Sequence, residues 1–132
     1  MPFISVPIDE AKEQAAVPEG EYSLRIIKAE DKESKKGNAM TQVTIRIEDA
    51  DVPNARLVNH FLVYPDSATP ADQRNMRLLD IARFLQCFGI PHEGAGFNSE
   101  DLEGATGRAT LTQEEGDDGE IYNRLRMPRL RK

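Results

Sequence analysis

The residues of this sequence best suited to chemistry are arginines that recur within segments of alternating polarity. They are Arg25, Arg46, Arg108, Arg124 and Arg126. Alternation sends successive side chains of a β-strand to opposite faces, and these arginines fall on the polar phase. Rows of such cations suit the phosphates of a single-stranded nucleic acid, whose bases also need rings on which to stack.

Four side chains offer such rings: Tyr22, Tyr64, Tyr122 and His60. Tyr122 shares the phase of Arg124 and Arg126, so these three are expected on one surface. Tyr22 instead shares the phase of Leu24 and Ile26, which favours packing in the core. The rings therefore divide into candidates for base stacking and candidates for structure.

Catalytic chemistry finds little support. The two histidines, His60 and His92, have no second histidine or cysteine at metal-ligand spacing. The glycines of residues 94–96 follow no strand and open no helix, so they do not form a phosphate-binding loop. We expect a protein that is not an enzyme, with no metal and no cofactor, in which Cys87 packs as a small apolar side chain.

Charge is segregated along the chain, whose net charge is -6. Residues 114–120 are acidic, whereas residues 124–132 carry cations and no acid. A bound phosphate backbone would have to lie away from the acidic segment, and the basic tail would add salt-dependent attraction. Lys32, Lys35 and Lys36 occupy a charged loop that flanks the binding groove in barrels of the oligonucleotide-binding (OB) type.

The composition of the chain predicts its cellular compartment. A single cysteine allows no internal disulfide, which suits a reducing cytosol. No apolar run reaches the roughly 20 residues that cross a bilayer, and the N-terminus lacks the features of a signal peptide. We expect a cytoplasmic protein without a membrane partner.

The elements that must position these side chains are five short strands and one helix. Alternation predicts strands over residues 20–29, 40–48, 56–64, 105–112 and 121–127, with a charged loop over 30–38 and a turn over 49–54. The third strand is apolar on both faces. Phe61 is expected in the core there, with His60 and Tyr64 opposite it. In the last strand Ile121, Leu125 and Met127 are expected to face inward.

The helix has marked ends. Thr69 is predicted as its N-cap, with Pro70 in the first helical position, and Gly89 is predicted to end it. Between them the apolar stripe comprises Met76, Leu78, Leu79, Ile81, Ala82, Phe84, Leu85 and Phe88. A stripe of that width is expected of a helix that plugs a barrel.

Three strands, a helix and two strands match the mainly β, five-stranded Greek-key OB-type barrel with one helix between strands 3 and 4. An antiparallel α+β sandwich predicts the same local elements and remains the alternative. The domain is expected over residues 20–127, after an N-terminal arm at 1–19 and before a short basic tail at 128–132.

Short motifs along residues 18–127 resemble one known family. They are Pro18-Glu19-Gly20-Glu21-Tyr22, Lys28-Ala29-Glu30, Ser34-Lys35-Lys36-Gly37-Asn38, Phe88-Gly89-Ile90-Pro91, Asp101-Leu102-Glu103-Gly104 and Tyr122-Asn123. In order and spacing they resemble the small single-stranded DNA-binding proteins of tailed bacteriophages, which have an OB-type barrel. The resemblance implies binding of single-stranded DNA without sequence preference, in phage replication or recombination. It also implies partners among the phage or host proteins of those processes.

The residues expected to contact DNA are Lys35, Lys36, Arg46, His60, Tyr64, Arg108, Tyr122, Arg124 and Arg126. The rival hypotheses are a protein–protein interaction module, docking through its two-sided third strand, and a small structural phage protein. Neither rival would bind nucleic acid. The apolar third strand also leaves open whether the chain forms homo-oligomers.

Overall fold

The computed structural model describes residues 2–35, 37–49, 52, 54–94 and 96–130. Lys36, half of the predicted turn over 49–54 and the last two residues of the tail therefore lie outside the described residues. The elements are β1 (Gly20–Glu33), β2 (Ala39–Ile47), β3 (Val58–Val63), α1 (Ala71–Cys87), β4 (His92–Glu93), β5 (Gly96–Phe97), β6 (Thr106–Glu115) and β7 (Ile121–Arg126). Short 3-10 turns lie at Ile8–Glu10 and Ser99–Asp101.

Five of the strands form one antiparallel sheet in the order β3-β2-β1-β6-β7. The sheet curls through 227° into a half-barrel, and β3 and β7 come into contact where it nearly closes. Curling brings the two edge strands together and limits the unpaired backbone that they expose. The prediction of an OB-like five-stranded barrel, with its helix between the third and fourth strands of the sheet, is confirmed.

The barrel has two distinct ends. Because every pairing is antiparallel, β1, β3 and β7 run in the same direction. Helix α1 follows the end of β3 and packs against β3 and the beginning of β6. We call the end where β3 and β7 finish the helix pole. The opposite end, where β3 and β7 begin and the β6–β7 hairpin turns, is the arm pole.

Strand β1 is longer than its predicted span. It continues to Glu33, so the predicted loop over 30–38 shrinks to the turn between Glu33 and Ala39. The register with β2 shifts between Ile26 and Lys28. Such a bulge sharpens the twist of a strand. It separates the half of β1 that pairs with β6 from the half that pairs with β2 alone.

Two predictions about strand faces are wrong. On β3 the buried residues are Val58 and Leu62, and Phe61 points outward with 41% of its surface exposed. Both faces of β3 are apolar, and the phase follows from Phe84 of the helix, which already fills the adjoining core. On β7 Ile121 is exposed, at the beginning of the strand, whereas Asn123 is 5% exposed because it has backbone partners inside.

Helix α1 closes one end of the core. Its buried side chains are Ile81, Phe84 and Leu85, and Phe88 is buried just beyond its end. Met76 and Leu78 are exposed, so the apolar stripe is narrower than predicted. Gly89 has a φ of 61°, a left-handed conformation in which the Ile90 N–H reaches the Leu85 carbonyl. This is the predicted glycine ending.

The predicted N-cap is wrong by one residue. Pro70 occupies that position and supplies no side-chain hydrogen bond. The Thr69 hydroxyl instead accepts from the Asp66 N–H at 3.0 Å and donates to the Asp66 carboxylate. Thr69 and Asp66 thus stabilise the turn that precedes the helix, because a short polar side chain can satisfy a turn as readily as a helix end.

The N-terminal segment is joined to the barrel at its C-terminal part. Val17 is 3% exposed, and Ala15 pairs with Ala55 in an isolated parallel bridge. Asn123 accepts from the Val17 N–H at 2.8 Å and donates to the Val17 carbonyl at 2.9 Å. Residues 15–17 are therefore part of the folded body, while residues 2–14 lie on the surface.

Candidate nucleic-acid interface

The predicted strand arginines lie on the outer face of the curled sheet, as their alternation predicts. Arg46 is the cross-strand neighbour of Arg25, which is in turn opposite Thr106. Arg108 lies opposite Ser23, and Arg124 opposite Thr112. The sheet thus gathers these cations from β1, β2, β6 and β7 into one polar surface.

Most of these arginines are paired with carboxylates. Glu48 accepts from both Arg25 and Arg46, which relieves the repulsion between two adjacent cations. These hydrogen bonds lower the pKa of Glu48, chiefly through Arg25. Arg108 pairs with Glu21 at 3.1 Å.

Arg124 follows the same pattern, with Glu114 at 2.9 Å. All four pairs are partly exposed, so each contributes little to stability. A phosphate on this face would nevertheless have to displace a carboxylate at each arginine.

Tyr122 belongs to the acidic β6–β7 hairpin. Its hydroxyl donates to Asp118, which raises the pKa of Tyr122 and lowers that of Asp118. The Arg56 guanidinium carbon lies 4.8 Å from the centre of the ring, a cation–π contact, and Arg56 also pairs with Glu120. One face of the Tyr122 ring is thus covered by Arg56.

His60 and Tyr64 point to the inside of β3. The His60 ring stacks on Phe84, with centroids 5.3 Å apart and planes 2° from parallel, and its Nε2 lies 3.2 Å from an Asp80 carboxylate oxygen. The Tyr64 hydroxyl lies 2.6 Å from the Thr41 hydroxyl, and burial raises the pKa of Tyr64. Phe84 therefore already covers one face of the His60 ring, and the Tyr64 hydroxyl already has a partner.

Lys35 is exposed in the turn between β1 and β2, away from the arginines of β6 and β7. The structure therefore does not bring the predicted residues into one cleft. Arg46, Arg108 and Arg124 share the outer sheet face, whereas His60, Tyr64 and Lys35 lie elsewhere. Arg126 shares the strand phase of Arg124, opposite Thr110, and at the end of β7 it also lines a second surface.

That surface flanks the middle of α1 at the helix pole. A cleft of about 550 Å³ between α1 and the end of β7 is lined by Met76, Leu79, Asp80, Arg83, Leu125, Arg126, Met127 and Arg129. A second groove, between α1 and the end of β3, is lined by Phe61, Val63, Met76, Arg77 and Asp80. Because Met76 and Asp80 line both, the two form one continuous surface, which we call the helix-flanking surface.

The cations of this surface lack carboxylate partners. Among the described residues, Arg83, Arg126 and Arg129 form no ion pair. The Nε of Arg83 is buried and, within the same described ranges, has no hydrogen-bond partner. The one carboxylate of the cleft, Asp80, is engaged with His60. A buried donor without an acceptor is unusual in a folded protein.

The sequence does contain a signal for this surface. Met76, Leu79 and Arg83 follow the spacing i, i+3, i+7, which places them on one face of a helix. Reading Met76 and Leu79 as core hides that signal, because the same spacing describes a buried stripe. Phe61 was missed for the related reason that a large aromatic side chain is normally assigned to the core.

The described ranges contain neither a cluster of metal ligands nor a membrane-spanning helix. No group of three or more His, Cys, Asp or Glu side chains is arranged to hold a metal ion there. No helix in that part of the chain has the length and apolar character needed to cross a membrane.

Comparison with known proteins identifies the family of this chain. A search of curated proteins found nothing significantly similar. A family model matches residues 5–129, which is nearly the whole chain. The description of that family is "protein of unknown function (DUF669)". This protein therefore belongs to the DUF669 family.

Proposed function

We propose that this protein binds single-stranded DNA, without sequence preference, along the helix-flanking surface. The observation that carries the proposal is the set of arginines without carboxylate partners, Arg83, Arg126 and Arg129, beside exposed apolar side chains. Binding of this kind requires cations that follow the phosphates and apolar or aromatic faces that meet the bases. The helix-flanking surface supplies both within one cleft and its adjoining groove.

The helix-flanking surface differs electrostatically from the outer sheet face. An arginine that is free to bind phosphate releases the condensed counterions of the strand without first losing a carboxylate. Arg108 and Arg124 would have to give up Glu21 and Glu114. The arginines of the cleft would give up only water.

Phe61 is the best candidate for a base contact. It stands on the outer side of β3 opposite Gln42, with 41% of its surface exposed, and it lines the groove beside Met76. Met76 is 70% exposed and has a flexible, polarisable side chain that adapts to different partners. An aromatic ring stacks on any base, which suits binding without sequence preference.

The acidic hairpin does not oppose this placement. Its turn lies at the arm pole, whereas the cleft lies at the helix pole, and β7 separates them by about 17 Å at the usual rise of a strand. Surface charges are largely screened beyond about 8 Å at physiological ionic strength. The net charge of -6 is therefore compatible with a local basic site.

The fold supports the proposal by analogy, since OB-type barrels bind oligonucleotides. The resemblance to the single-stranded DNA-binding proteins of tailed phages suggests a role in phage replication or recombination, in the host cytoplasm. The rival is a protein-binding module, which the exposed Phe61 and Met76 would also serve.

Binding of a fluorescent oligothymidine, followed by anisotropy at several salt concentrations, distinguishes the two functions. We expect affinity to fall steeply as salt rises. The double variant Arg126→Ala, Arg129→Ala should reduce the slope of log K against log salt by about 1.4, that is, two contacts at about 0.7 each. The matched control is Arg108→Ala, Arg124→Ala, which should leave the slope nearly unchanged.

Absence of binding at low salt would refute the proposal and favour the protein-binding module. An equal reduction of the salt slope in the control variant would instead locate the binding site on the outer sheet face.

A further inference from the structure

The N-terminal arm, residues 2–14, carries apolar side chains that contact little of its own barrel. Phe3 is 93% exposed, Ile4 and Ile8 are each 74% exposed, and Val6 is 55% exposed. A run of exposed apolar side chains of this kind is typical of a segment that docks on another surface. The arm is also acidic, since Asp9, Glu10 and Glu13 outweigh the one lysine, Lys12.

The arm leaves the barrel at the end opposite the helix-flanking surface. Ala15 pairs with Ala55 in parallel, so residues 14–17 run in the same direction as the chain that enters β3. That direction leads from the arm pole towards the helix pole. Traced back from Ala15, residues 2–14 therefore lead out at the arm pole, away from the cleft of their own chain.

The helix-flanking surface is chemically complementary to this arm. It offers exposed Met76 and Phe61 to the apolar side chains. Arg83, Arg126 and Arg129 lie in the same cleft and would meet the acids of the arm. We propose that the arm of one copy docks on the helix-flanking surface of a second copy.

Because donor and acceptor surfaces lie at opposite poles, the contact is heterologous. Such contacts build a chain of copies, or a ring if the rotation between them closes. The arm would also occupy the cleft assigned above to DNA. On the basis of that proposed function, self-association and DNA binding compete for one surface.

The test uses the full-length protein and the variant Phe3→Ser, Ile4→Ser. Sedimentation velocity of the wild type over a range of concentrations should show association beyond the monomer, which the variant and Arg126→Ala each weaken. The matched control is Ile27→Ser, which removes an exposed apolar side chain on β1 and should associate as the wild type does. A wild type that stays monomeric at every concentration, or a variant that associates as strongly as the wild type, would overturn the inference.

A labelled peptide of residues 2–13 provides the second measurement. It should bind the full-length Phe3→Ser, Ile4→Ser variant, and oligothymidine should displace it. If the arm fills roughly two-thirds of the clefts, the variant should bind oligothymidine about threefold more tightly than the wild type.

The outcomes separate this inference from the proposed function. A peptide that binds while oligothymidine does not would support arm docking and refute DNA binding. Binding of oligothymidine without self-association would refute arm docking between copies and retain the proposed function. A peptide that binds a strictly monomeric wild type would indicate docking of the arm on its own chain and would also overturn the inference.

Discussion

Asn123 is expected to be the most important polar side chain for stability, because it joins residues 15–17 to the barrel. Its side chain accepts from the Val17 N–H at 2.8 Å, and donates to the carbonyls of Val17 at 2.9 Å and Thr112 at 3.1 Å. Both Val17 and Asn123 are buried. Asn123→Ala would remove three hydrogen bonds from a place that water does not reach.

The size of the expected stability loss follows from the buried groups that Asn123→Ala would leave without partners. Within the described residues Asn123 is the hydrogen-bond acceptor for the Val17 N–H, and a buried donor without a partner costs about 1–3 kcal/mol. The Val17 carbonyl keeps the Gln113 amide as a donor at 2.9 Å, so its loss adds only about 1 kcal/mol. We expect Asn123→Ala to lower the free energy of unfolding by about 2–4 kcal/mol.

Urea unfolding followed by circular dichroism measures this loss, and hydrogen exchange at the Val17 amide should accelerate in parallel. The matched control is Asn59→Ala, since Asn59 is another strand asparagine with hydrogen bonds, which it accepts from the Gln42 and Thr44 side chains, but it is exposed. The control should change stability by no more than about 0.5 kcal/mol. A loss below about 1 kcal/mol for Asn123→Ala, or an equal loss for both variants, would refute the reasoning.

Three further predictions concern the core and the outer sheet face. Phe84 is fully buried against His60, so Phe84→Ala should lower the free energy of unfolding in urea by about 3–5 kcal/mol. A Cβ at Gly107 would lie 2.5 Å from the Cys87 carbonyl oxygen, so Gly107→Ala should cost about 1–3 kcal/mol by the same assay, and a neutral result would contradict the close packing. The pKa of Glu48 is lowered from its ordinary 4.5 by its two arginines. The stability that wild type gains over Glu48→Gln should therefore be complete above that value and vanish as the pH falls through the lower folded pKa, and a gap that widens in acid would contradict it.

The sequence was sufficient to predict the elements of the barrel, because alternation and turn residues are local signals. The five strands and the helix ending at Gly89 follow from such signals. It was harder to predict which face of a strand is buried where both faces are apolar. On β3, Phe61 and Leu62 are equally hydrophobic in the sequence, and only the packing of Phe84 from the helix determines which side is buried.

The pairing of the candidate site residues could not be predicted from the sequence, because it depends on contacts between distant residues. Arg108 and Arg124 were placed on the correct face, but nothing local indicated that Glu21 and Glu114 would neutralise them. Asn123 was missed because its partner is over a hundred residues away in the chain. The composition alone cannot show which arginines lack a carboxylate, and that distinction is what locates the proposed interface.

The most direct test of the central proposal is a map of the surface that single-stranded DNA contacts. Oligothymidine would be titrated into the isotopically labelled full-length protein while backbone amide shifts are recorded. We expect the largest shifts at Phe61, along residues 76–83 and at residues 125–129, with little change on the outer face around Arg108. Shifts centred on the outer face, or no shifts at low salt, would contradict the proposal.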